Sequence, residues 1–121
     1  MSDQVDDFTY AYAETALWAT EDEDGVPLGR HLEHIPSLIA PYTLAEMRED
    51  CEGFRALAGD LIDAFDEEWI ASRFWLTRNG NGAAFGVGDY QEQARARLSE
   101  IAHSFGRCDL YRGDDGLIHA R

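Results

Sequence analysis

The chain has 121 residues, in which 24 aspartates and glutamates stand against 10 arginines and no lysine, giving a formal net charge of −14. A surface this acidic repels phosphate backbones and anionic lipids, so the sequence predicts neither direct nucleic-acid binding nor membrane binding. Hydrophobic residues make up 45% of the chain, which is enough for the core of one domain spanning residues 1–121. The acidic N-terminus has no basic leader segment, so we expect a cytoplasmic protein.

The negative charge is concentrated in the first part of the chain. Residues 1–68 hold 18 acids and 3 arginines, for a net charge of −15, whereas residues 69–121 hold 6 acids and 7 arginines, for a net charge of +1. Such asymmetry within one small domain indicates a charged interaction surface.

The N-terminal elements are predicted to be helical. Alternating Phe8, Tyr10 and Tyr12 favour a strand, but the alanines and Glu14 favour a helix over residues 8–19, and we predict the helix. The acidic run of residues 21–24 and Gly25 end it. Residues 26–41 contain all three prolines and predict an ordered loop, with one helical turn between positions 32 and 39.

A long amphipathic helix is predicted next. Thr43 and Glu46 have the spacing of a capping box, and Tyr42 and Met47 that of a hydrophobic staple. Apolar residues then recur every three or four positions to about Phe65, and their pattern is typical of a helix with one buried face. They are Leu44, Met47, Cys51, Phe54, Leu57, Ala58, Leu61, Ile62 and Phe65.

The C-terminal half, residues 71–121, is predicted to alternate hairpin, helix and hairpin, after an acidic helical part over residues 1–70. Residues 66–70 form a short helix or continue the preceding one. Residues 73–78 and 83–87 read as strands joined by an Asn-Gly turn at 79–82. Asp89 and Glu92 cap a helix that ends at Gly106. Residues 107–112 and 117–120 form a second hairpin around the turn 113–116.

Together these elements predict an α+β fold, in which two β-hairpins form one small antiparallel sheet and the amphipathic helices pack on one face of it.

The predicted long helix carries an acidic stripe. Glu46, Glu49 and Asp50 lie at positions i, i+3 and i+4, and Asp60, Asp63 and Glu67 follow two to four turns later on roughly the same side, opposite the apolar face. Helical neighbours at this spacing are about 5–6 Å apart, close to the spacing of successive phosphates on a nucleic-acid strand. The stripe is therefore a candidate DNA-mimicking surface, and the alternative is a solvated face that serves solubility or halophilic adaptation.

The sequence gives little support for metal binding, phosphate binding or catalysis. Asp22, Asp24 and Glu33 match part of a calcium-binding loop, but Val26 and Pro27 occupy positions where a ligand and a glycine belong. His31 and His34 have generic spacing, so no metal or cofactor is predicted. The glycines at 80–88 lack the Lys-Ser/Thr of a phosphate-binding loop, and no nucleophile motif is present, so we expect no enzyme.

Two further sets of side chains have alternative interpretations. Cys51 and Cys108 are expected to be reduced, buried thiols, with a disulfide as the alternative. Arg73, Thr77, Arg78 and Tyr111 line a small polar surface, or the arginines pair with acidic helices of their own fold.

Two runs of residues in the C-terminal half are distinctive: Phe74-Trp75-Leu76-Thr77-Arg78-Asn79-Gly80-Asn81-Gly82-Ala83-Ala84-Phe85 and, downstream, Cys108-Asp109-Leu110-Tyr111-Arg112-Gly113-Asp114-Asp115-Gly116-Leu117-Ile118. With these runs the chain resembles small proteins of bacteriophages and prophages. The resemblance covers roughly the C-terminal half and transfers no catalytic role. It implies a mobile-element setting, in which small acidic proteins include DNA mimics that block restriction enzymes and anti-CRISPR proteins that occupy the DNA-binding groove of a surveillance complex.

We therefore hypothesise a phage inhibitor whose acidic surface binds the basic groove of a host defence complex, a CRISPR surveillance complex or a restriction enzyme. The alternative is a non-enzymatic phage structural or adaptor protein whose acidity serves solubility, and a calcium-binding module is a third. The hypothesis assigns partner binding to twelve acids: Glu21, Asp22, Glu23, Asp24, Glu46, Glu49, Asp50, Asp60, Asp63, Asp66, Glu67 and Glu68.

Overall fold

A computed structural model of the chain describes residues 6–21, 24–28, 35–80, 85 and 92–120. These ranges contain helices α1 (Asp7–Ala19), α2 (Pro41–Ala58), α3 (Glu67–Arg78) and α4 (Glu92–Ser104), strands β1 (Leu110–Arg112) and β2 (Ile118–Ala120), and short 3-10 segments at Ile35–Leu38 and Gly59–Ala64. The chain is mostly helical with one small antiparallel sheet, which confirms the α+β class in outline. Over the described ranges, no helix is both long and apolar enough to cross a membrane.

Helix α1 confirms the helical interpretation of residues 8–19. Asp6 caps its N-terminus, because the Asp6 carboxylate accepts a 2.7 Å hydrogen bond from the backbone N–H of Thr9. Phe8, Tyr12 and Ala16 repeat at a helical spacing and are fully buried, so this face packs against α3. The side chains thus follow the helical period although the aromatic residues alternate.

Helix α2 begins earlier than the capping box predicts. Pro41 occupies its first turn, where the missing N–H and the fixed φ of proline suit a helix start. Thr43 is therefore inside the helix and buried, and its Oγ1 accepts a 3.3 Å hydrogen bond from the backbone N–H of Ala120. Tyr42 is 75% exposed. The predicted cap at Thr43 and the predicted staple of Tyr42 on Met47 are both wrong.

Helix α2 also ends earlier than predicted, at Ala58. Gly59 has a φ of +56° and starts the 3-10 segment Gly59–Ala64, a backbone conformation that glycine adopts without steric cost. Leu61, Ile62 and Phe65 still pack against the core. Asp60 and Asp63 consequently do not lie on the α2 stripe.

The first predicted hairpin is wrong, because residues 73–78 form the second half of α3. Ile70, Ala71, Phe74 and Trp75 are buried at helical spacing, and this packing outweighs the strand preference of the aromatic residues. Asp66 starts α3 as a separate helix, since its carboxylate accepts from the backbone N–H of Trp69 at 3.0 Å. Of the predicted return strand 83–87, only Phe85 is described, and it lies in a turn.

Helix α4 and the second hairpin agree with prediction. Ala94, Leu98, Ile101 and Ala102 are the buried positions of α4, and Gly106 follows its end with a φ of +76°. The cap predicted at Asp89 lies outside the described residues. Strands β1 and β2 pair antiparallel, with Tyr111 opposite His119.

The hairpin is joined to the start of α2 by backbone contacts. Ala40 donates its N–H to the carbonyl oxygen of Ile118 at 2.8 Å, and Ile39 forms a parallel bridge with Ile118. The two-stranded sheet thus lies at the N-terminal end of α2, where it replaces the predicted four-stranded sheet.

Aromatic rings from α1, α2 and α3 form the centre of the core. Phe54 stacks on Phe74 with ring centroids 4.3 Å apart, and Tyr12 lies 5.0 Å from Phe74. Phe105, just after α4, meets Phe74 edge-on at 5.1 Å. These contacts fix how the four helices are positioned relative to one another.

The two glycines of the α2 region give a matched stability test. Gly59→Ala places a side chain at a φ of +56° and should lower the free energy of unfolding by about 1–3 kcal/mol. Gly53 is helical, and an added Cβ would lie 3.4 Å from the Phe105 ring, so Gly53→Ala should raise the free energy of unfolding by up to about 1 kcal/mol. Urea unfolding followed by circular dichroism measures both, and changes of the same sign would contradict the boundary at Ala58.

Candidate functional site

Three of the predicted site residues lie together on α2. Glu46 and Asp50 are half-buried and Glu49 is exposed. Their spacing on a regular helix confirms that the three carboxylates share one side of α2.

A buried arginine at the end of α3 binds one of these acids. Arg78 is 6% exposed, and its Nη1 donates to Asp50 Oδ2 at 2.8 Å and to the Tyr12 hydroxyl at 2.9 Å. Its Nε donates to the carbonyl oxygen of Gly106 at 2.8 Å, and its Nη2 to that of Phe105 at 3.0 Å. The guanidinium group thus joins α1, α2, α3 and the segment that follows α4.

The environment of Arg78 keeps it charged. Burial alone would lower its pKa, but Tyr12 and Asp50 accept its N–H groups and the pKa of Arg78 is raised overall. Burial also raises the pKa of Tyr12, so its hydroxyl stays neutral. Asp50 therefore contributes its charge to an internal ion pair, and Glu46 and Glu49 are the acids of this trio that remain for a partner.

The pairing of Arg78 with an acidic helix confirms one of the two interpretations of the C-terminal arginines. The other interpretation, that these side chains line an exposed polar surface, is wrong for Arg78 and Thr77, because both are buried.

A cavity of about 310 Å³ opens beside this ion pair. Tyr42, Glu46 and Glu49 of α2 line one side, and Arg107 and Cys108 line another. The Arg78 and Asp50 pair, Tyr12, Met47, Thr43 and Ala120 complete the lining. We call this the α2 cavity.

A second group of acids lies at the N-terminus of α3. All five are exposed: Asp60 and Asp63 in the 3-10 segment, Asp66 at the N-cap of α3, and Glu67 and Glu68 in its first turn. We call them the α3 acidic group. Carboxylates at the start of a helix are stabilised by its dipole, so the fold tolerates this concentration of charge.

Arg55 of α2 contacts both Asp6, before α1, and Glu67 of the α3 acidic group. Arg55 of α2 approaches Glu67 at 3.9 Å and binds Asp6 at 2.7 Å. Burial would raise the pKa of Asp6, but hydrogen bonds from Thr9 and Arg55 lower it overall. Arg55 thus joins the start of α1 to the start of α3.

The acids form two groups instead of one continuous stripe. The Asp50 partner Arg78 ends α3 and Glu67 begins it, so Asp50 contacts one end of α3 and the α3 acidic group lies at the other end. The prediction that positions 46 and 60 share one helix side is wrong, because α2 ends between them.

The remaining predicted acids are described in part. Glu21 is exposed and forms an isolated bridge with Pro27, and Asp24 lies in an exposed turn. Asp22 and Glu23 lie outside the described residues.

The described ranges contain no group of three histidine, cysteine or acidic side chains that could hold a metal ion. Asp22, His31, Glu33 and His34 lie outside those ranges. Cys51 and Cys108 are free. Burial raises the pKa of the Cys51 thiol to about 12, so it stays protonated.

Sequence reasoning missed the roles of Arg55 and Tyr12, and for Arg78 it anticipated pairing with an acidic helix without identifying Asp50 as the partner. Arg78 ends a stretch of buried aromatic residues, and an arginine at such a place requires an acceptor inside the fold. That signal was present, but it did not indicate which of the 24 acids would supply the acceptor.

Comparison with known proteins finds no matching family, no matching curated protein and no matching solved structure.

Two neighbouring acids of α2 are expected to differ in their effect on stability. Asp50→Asn leaves the buried Arg78 without its anion and should lower the free energy of unfolding by about 2–3 kcal/mol, less than for a fully buried pair because the Asp50 side chain is 36% exposed. Glu49→Gln removes an exposed charge and should change it by less than about 0.5 kcal/mol. Urea unfolding at neutral pH measures both, and equal effects would contradict a structural role for Asp50.

Proposed function

We propose that this chain is a non-catalytic inhibitor that presents acidic side chains to the basic groove of a nucleic-acid-binding protein and thereby excludes the nucleic acid. Competition for the groove is the mechanism. Following the sequence resemblance, the proposed setting is a phage, and the proposed targets are host defence complexes such as CRISPR surveillance complexes and restriction enzymes.

The observation that carries the proposal is the set of exposed acids on α2 and at the start of α3 that the fold leaves without an arginine partner. Among Glu46, Glu49, Asp50 and the α3 acidic group, Asp50 and Glu67 form ion pairs with arginine in the described part of the chain. Glu49, Asp60, Asp63 and Glu68 are exposed and take part in no ion pair there. Exposed like charges repel one another and destabilise a fold, so a partner that neutralises them would gain binding energy.

The test is competition for DNA binding. The full chain should displace labelled DNA from at least one member of a panel of purified CRISPR surveillance complexes and restriction enzymes, as measured by fluorescence anisotropy. The triple variant Asp60→Asn, Asp63→Asn, Glu68→Gln should inhibit about tenfold less well. Exposed ion pairs contribute about 0.5 kcal/mol each, and 1.4 kcal/mol corresponds to a factor of ten.

A matched control removes three exposed acids from the nearly neutral part of the chain. Glu92→Gln, Glu100→Gln and Asp109→Asn change the net charge by the same amount, and this variant should inhibit within about twofold of the wild type because the acids that face the partner are intact. Equal losses in both triple variants would show that only net charge matters. Failure to displace DNA from any complex would favour the structural or adaptor protein whose acidity serves solubility.

A further inference from the structure

The α2 cavity combines an exposed aromatic ring with uncompensated carboxylates. Tyr42 is 75% exposed, the most exposed large hydrophobic side chain in the described part of the chain. Glu46 lies one helical turn after it, so the ring and the carboxylate share one side of α2. Both side chains and Glu49 line the same cavity.

Two side chains in the lining of the α2 cavity are held in place by hydrogen bonds. Asp50 and Arg78 pair with each other, and four hydrogen bonds to three different parts of the chain hold the Arg78 guanidinium group. A ligand in this cavity therefore meets an ordered ion pair, and binding next to ordered side chains avoids part of the cost of ordering the protein.

The charge balance of the cavity favours a cation. With the Asp50 and Arg78 pair neutral, Glu46 and Glu49 face a single further arginine, Arg107. The Arg107 guanidinium group is placed over Gly80, where an added Cβ would lie 3.0 Å from its Nη1. The side of the cavity formed by α2 is thus left negative.

We propose that the α2 cavity binds an arginine side chain of the partner protein. The flat guanidinium group stacks on the Tyr42 ring while its N–H groups donate to the carboxylates of Glu46 and Glu49. Arginine fits both contacts, because a guanidinium group binds aromatic faces and donates in a fork that matches carboxylates. The inference takes its basic partner from the proposed function and assigns Tyr42 as the aromatic anchor of that interface.

The cavity can be tested on the full chain without the partner. The probe is arginine amide, titrated into the ¹⁵N-labelled protein, and citrulline amide is the isostere with an uncharged side chain and the same α-amino group. Arginine amide should cause saturable shifts in the amide signals of α2 around Tyr42, Glu46 and Glu49, and citrulline amide should cause none. Equal responses to the two compounds, or arginine-induced shifts that map elsewhere, would overturn the proposal.

Substitutions at Tyr42 separate the ring from its hydroxyl. Tyr42→Phe should keep the response to arginine amide, and Tyr42→Leu should lose it, because only the aromatic variant retains a cation-binding face. Tyr111→Ala, which removes a ring from the hairpin, should leave it unchanged. These side chains are exposed, so the variants should fold, as circular dichroism would verify. Wild-type binding by Tyr42→Leu would overturn the assignment.

The outcome is distinguishable from that of the competition test. If the wild-type chain displaces DNA but does not bind arginine amide, the proposed arginine site in the cavity is rejected and the proposed function is retained. Binding of arginine amide by a chain that displaces DNA from no complex would reject the proposed function and retain the cavity.

Discussion

The buried guanidinium group of Arg78 determines how the helices of this fold meet. It reaches Tyr12 of α1, Asp50 of α2 and the carbonyl oxygens of Phe105 and Gly106 after α4, all within 3.0 Å. A buried charge is costly unless it is paired and hydrogen-bonded. Each acceptor must therefore stay in place, and the four segments are tied to one point beside the stacked rings of Phe54 and Phe74.

Ion pairs with arginine divide the acids of the N-terminal part into two kinds. Asp50 forms an ion pair with Arg78, and Asp6 and Glu67 both form ion pairs with Arg55. These pairs hold helices together, whereas exposed acids such as Glu49, Asp60, Asp63 and Glu68, which form no ion pair in the described part of the chain, add repulsion to the folded state. The distinction between structural and exposed carboxylates depends on tertiary contacts, so net charge along the chain does not reveal it.

The sequence predicts some elements well because their signals are local. The hairpin around 113–116 and the C-terminal glycine of α4 follow from turn chemistry, and α1 follows from its alanines. The strand predicted at 73–78 fails because Phe74 and Trp75 pack into a helical core, a non-local effect. The same limit applies to the site, since the spacing of Glu46, Glu49 and Asp50 was readable whereas the pairing of Asp50 with Arg78, 28 residues away, was not.

The early end of α2 changes what the proposed partner must offer. A continuous stripe would demand a row of cations at helical spacing, but the fold presents two acidic groups at opposite ends of α3. A groove long enough to contact both ends of α3 can neutralise both groups, whereas a small basic patch can neutralise only one group. The proposed partner is therefore an extended groove, and because a rigid helix sets the separation, the two groups would bind it as one unit.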